Sequence, residues 1–106
     1  MGYAKERGKL EKLLTKIVGV EAYSEKGLAV LSDGHENYSH VIRILKNKEP
    51  DLFMDLYKNE LEDIKAGKKL VKESETDEAR QEHFVTYKNA IVNAMQKTIS
   101  VTKETV

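Results

Sequence analysis

Apolar residues recur along this chain at intervals of three and four, the repeat of a helix with one face turned to a core. The first such run spans Tyr3 to Val18, where Leu10, Leu13, Leu14, Ile17 and Val18 share a face. Gly19 follows as a natural break or C-terminal cap. The segment from Val20 to Lys46 admits two readings. Asp33-Gly34 can act as a turn between two short helices. Against this, Leu28, Leu31, His35, Tyr38, Ile42 and Leu45 keep an unbroken heptad phase straight through Gly34. One glycine costs a helix only about 1 kcal/mol, so the phase predicts a single long helix, from about Glu21 to Lys46, weakened or kinked near Gly34.

Pro50 marks the clearest boundary. It lacks an amide donor and drives Glu49 out of helical geometry, yet it suits the first turn of a new helix. The third helix is therefore expected from Asp51 to Lys72, with Phe53, Leu56, Tyr57, Leu61, Ile64, Leu70 and Val71 on its apolar side. A polar connector, Glu73 to Asp77, ends in Thr76 or Asp77 as N-cap. The fourth helix is expected from Asp77 to Ser100. Phe84, Tyr87, Ile91, Ala94, Met95 and Thr98 form its inner face, widened by Val85, Val92 and Ile99. Residues 101–106, rich in β-branched side chains, are expected to fray. Four amphipathic helices with short connectors predict an all-α fold, an antiparallel bundle forming one domain over residues 1–106.

Composition narrows the function. Eighteen basic and eighteen acidic side chains cancel, which weakens the case for a nucleic-acid binder. The absence of cysteine excludes disulfides, thiolate metal sites and a thiol nucleophile, and fits a reducing compartment such as the cytoplasm. The longest apolar run, Leu28 to Leu31, is far below the roughly 18–20 residues that cross a bilayer. The N-terminal stretch has no signal-peptide core, and Glu6 stands where a myristoylation signal after Gly2 needs Ser or Thr.

Catalytic and metal motifs fail on inspection. No Glu-x-x-His occurs, so a di-iron bundle centre has no ligand set. Glu36 and His40 lie four apart on one helical face, which is two ligands and no more. His35 falls within the heptad seam, where a hydrogen-bonded boundary histidine outweighs a pH switch. His83 has no nucleophile-elbow serine to serve. Phosphate loops are missing, and Asp33-Gly34 is no EF-hand, since His35 stands at the third position. No catalytic residue, metal or cofactor is expected.

Two surfaces remain. Tyr23, Tyr38, Phe53, Tyr57 and Tyr87 follow the apolar period and suit a half-wet contact face. Lys5, Arg7, Lys9, Lys12 and Lys16 outnumber Glu6 and Glu11 in the first helix, a basic amphipathic pattern. The expected function is therefore a small non-enzymatic interaction or regulatory module. It would bind another protein, or a second copy of itself, through an amphipathic face with tyrosines at its edge, and a homo-oligomer is expected because the long third and fourth helices can expose more apolar face than one small chain covers. The alternative is a nucleic-acid-binding regulator using the basic N-terminal helix.

Overall fold

The computed structural model describes residues 3–104, and among these it contains four helices and no strand: α1 (Ala4–Val18), α2 (Glu25–Lys48), α3 (Pro50–Glu73) and α4 (Asp77–Glu104). Local chemistry sets their starts. Ser24, with extended backbone, caps α2 by accepting from the Gly27 amide at 2.8 Å. Pro50 occupies the first turn of α3. The Thr76 hydroxyl accepts from the Ala79 amide at 3.0 Å at the start of α4. Each cap satisfies a first-turn amide that has no partner within its own helix. α1 has no side-chain cap, and Tyr3 anchors it by other means.

The helices run up, down, up, down. α1 packs on α2 and α4, and α3 packs on the same two. α2 and α4 also meet across the diagonal, while α1 and α3 share no seam. The resulting bundle measures 47 × 23 × 17 Å. Its core takes Leu10 and Ile17 from α1, and Leu31, Tyr38, Ile42 and Leu45 from α2. Phe53 and Ile64 come from α3, and Phe84, Tyr87, Ile91 and Met95 from α4. Polar groups inside are paired. Tyr38 Oη and Thr98 Oγ1 lie 2.9 Å apart, and Thr98 also donates to the Ala94 carbonyl.

α2 is continuous through Gly34, as its heptad phase predicts. The glycine serves packing instead, since a Cβ there would overlap Ile17 Cδ1 of α1. Gly67 has the same role between α3 and α4, where a Cβ would lie 2.9 Å from the Tyr87 Cα. Expectations at the C-terminal end and on the apolar faces need correction. The chain stays helical to Glu104 instead of fraying after Ser100, because Thr102 is buried and Val101 half-buried against the bundle. Val85 does not widen the core, because it faces outward on α4, and Val18 and Leu70, expected on the apolar faces of α1 and α3, are exposed as well. Gly19 is the C-cap of α1, as its position predicts, with ordinary helical backbone (φ −71°). Gly2 and the tail residues Thr105 and Val106 lie outside the described residues.

Candidate functional site

The most distinctive surface follows the seam between α1 and α2. Because Gly34 has no side chain, Ile17 settles onto the backbone of α2. Two adjoining hollows of about 290 and 340 Å³ open there, sharing Leu13, Lys16 and Asp33. Leu13, Ile17, Val30, Gly34 and Val41 give the groove an apolar floor. Lys9, Lys12 and Lys16 form the α1 rim, and Lys26, Asp33, Asn37 and His40 the α2 rim.

The rim charges are unbalanced. Lys9, Lys12, Lys16 and Lys26 are all exposed, and none has an ion-pair partner among the described residues. Among the described residues, Asp33 is the sole acid lining either hollow. Four ammonium groups thus border an apolar strip with one carboxylate among them, on a chain whose formal charge is zero. Lysine stems can lie along such a strip while their heads stay in water. A groove of this kind can hold an apolar ridge and attract negative charge on either side of it.

The basic residues predicted from the first helix divide here. Lys9, Lys12 and Lys16 line the groove, and Lys5 continues their stripe as an exposed residue toward the start of α1. Arg7 does not join them. It is half-buried and donates to the Thr102 carbonyl at 3.4 Å, tying α1 to α4. Lys26 and the α2 rim were missed, although positions 26, 30, 33, 37 and 40 repeat at four and three beside the heptad seam.

The aromatic set does not converge on one surface. Tyr38, Phe53 and Tyr87 are fully buried in the chain's own core, so their rings are committed to intrachain packing. Tyr23 and Tyr57 are half-buried toward opposite ends of the bundle. Tyr23 packs edge-on against Phe84, with Arg80 over its ring, and its amide donates to Gln81 Oε1 at 2.7 Å. Tyr57 carries Lys46 Nζ 4.5 Å above its ring.

Two of the three histidines, His35 and His83, sit in hydrogen-bonded pairs, and His40 is exposed. His35 is half-buried, with Nδ1 3.3 Å from the Tyr87 hydroxyl. Burial, followed by the nearby charges of Lys68 and Lys65, pushes its pKa down against the smaller opposing pull of Glu36. His83 Nδ1 lies 2.9 Å from Ser74 Oγ, a pairing that resembles a catalytic dyad. The Ser74 hydroxyl also lies 2.8 Å from the Leu70 carbonyl. A carbonyl can only accept, so the serine donates there and His83 is the donor to Ser74. That proton arrangement is the reverse of the one that activates a serine nucleophile. Glu36 and His40 share a polar hollow with Asp33 and Arg43. Among the described residues, no three His, Asp or Glu side chains are grouped to hold a metal ion. No described helix is long and apolar enough to cross a membrane.

Comparison of the chain with protein-family models, with curated proteins and with solved structures found no match.

Proposed function

We propose that this protein is a non-enzymatic binding module that docks a partner protein in the groove between α1 and α2. One observation carries this reading: four exposed lysines, without ion-pair partners among the described residues, border an apolar strip whose accessible part is half-buried Leu13 and Val30. Apolar area buried in such a groove supplies affinity, and the charged rim supplies steering and register. The alternative, contact with a nucleic-acid backbone, draws on the same lysines. The apolar floor favours a protein, because a phosphate chain has nothing to bury there.

Site-specific photocrosslinking tests the proposal. A photoreactive residue replaces Ala29, exposed within the groove, or Glu62, exposed on α3. Irradiation in a cell extract should give a discrete protein adduct from position 29 but not from position 62. The adduct should disappear when Lys12→Glu and Lys16→Glu are added. Equal labelling from both positions, no adduct, or an adduct consisting of nucleic acid would each overturn the proposal.

A further inference from the structure

The groove carries more information than its net sign. Lys5, Lys9, Lys12 and Lys16 stand at intervals of four, three and four, so they form one straight stripe on α1. At about 1.5 Å per residue the stripe is roughly 16 Å long, or three helical turns. The opposite rim repeats in the same way, from Lys26 through Val30, Asp33 and Asn37 to His40. Both rims therefore carry the period of a helix, and the floor between them is apolar.

A third helix laid along such a seam would place an apolar ridge on Leu13, Ile17 and Val30. One of its flanks would face the four lysines of α1. The other would face an uneven rim, with a cation at Lys26, a carboxylate at Asp33, and neutral Asn37 beyond it. From this complementarity we infer that the partner presents an amphipathic helix with an acidic flank. Its acids are spaced at three and four residues and face α1, and a single basic residue on its other flank meets Asp33. The inference rests on the docking function proposed above and adds the chemistry of the partner. The two rims together fix the direction of the bound helix, because reversing it would swing the acidic flank away from the α1 lysines and onto Asp33.

Synthetic helices provide the probe. Three 18-residue peptides share one apolar face: one has glutamates on one flank and a lysine on the other, one has the charges exchanged, and one is a scramble of the first. Titration into the isotope-labelled full chain, followed by amide chemical shifts, reports both affinity and site. The acidic peptide should bind with shifts confined to the α1–α2 seam, and the exchanged peptide should bind roughly tenfold or more weakly. Lys12→Glu with Lys16→Glu should reverse that order, a result that simple loss of folding cannot produce. Asp33→Lys should weaken the acidic peptide but restore binding when the peptide's single lysine becomes glutamate. Equal binding of acidic and exchanged peptides, or shifts centred elsewhere, would overturn the inference. If the peptides fail while the position-29 crosslink succeeds, the docking function stands and the acidic helix falls. If both fail, the docking function falls as well.

Discussion

Two glycines that look alike in the sequence have opposite roles in the bundle. Gly8, in α1, has no neighbour within 4 Å of where a Cβ would sit. Gly8→Ala should therefore stabilise the protein by about 0.5–1 kcal/mol, through helix propensity and a less flexible unfolded chain. Gly67 presses against the Tyr87 backbone, which cannot rotate away. Gly67→Ala gains the same propensity but forces α3 and α4 apart, an overpacking cost of about 1–3 kcal/mol. It should lower Tm where Gly8→Ala raises it, and thermal unfolding of the two variants checks the pair. His35 adds a pH dependence at the same scale. Its pKa is lowered by burial, by Lys68 and Lys65, so the unfolded chain binds the proton more readily than the fold does. Its contribution is therefore complete above the ordinary histidine value, near 6.5, and is lost as pH falls toward the lowered one. The urea midpoint should be lower at pH 5.5 than at pH 7.5, and His35→Gln should narrow the difference.

At the scale of elements, α1 is the shortest helix and the one that supplies the lysine rim, so its docking matters most. Tyr3 holds its start. The ring packs edge-on against Phe53 at 5.4 Å, the hydroxyl donates to Glu49, and the Tyr3 carbonyl accepts from the Arg7 amide. The hydrogen bond to Glu49, with burial and the Glu49 and Glu6 charges behind it, pushes the Tyr3 pKa up to about 12. One turn on, Lys48 reaches Glu6 at 2.9 Å and holds that carboxyl below its usual range. Tyr3→Ala should cost about 3 kcal/mol, as truncation of a buried aromatic does. It should also speed hydrogen exchange through the first turns of α1, whereas Tyr3→Phe keeps the ring and should do so far less. Unchanged exchange in Tyr3→Ala would show that α1 docks without this anchor. This scale also marks how far the sequence could be read. The heptad phase through Gly34, the break at Pro50 and the connector before Asp77 made the four helices legible. The depth of each tyrosine was not, because a ring on an apolar face can be core or rim. Gly67 lets the Tyr87 backbone close onto α3, a packing detail that the pattern does not encode. The lysine stripe on α1 was visible, but its partner rim on α2 depends on how the two helices seat.

For the whole molecule, the question is whether one chain satisfies its own apolar surface. The described residues with large exposed hydrophobic side chains are Val18, Leu52, Leu70 and Val85, at 37–53% exposure, and they are spread over α1, α3 and α4. The heptad seam of α2, which in isolation would suit a coiled coil, is instead covered by α1, α3 and α4. Scattered exposed residues of this kind are normal for a monomer, whereas a stable self-interface needs a contiguous patch. The groove is apolar only along a narrow floor, and its lysine rims would repel the same rims on a symmetric copy. Light scattering should therefore give a mass near 12.1 kDa at both low and high salt. A dimer that dissociates only at high salt would mean that the lysine rim has found acids on a second copy, which makes self-association the native use of the groove. A dimer stable at both salts would place the contact on apolar area, and truncating Leu52 and Leu70 would locate it. A monomer throughout leaves the groove open in the isolated chain, which is the state that the proposed docking of a different protein requires.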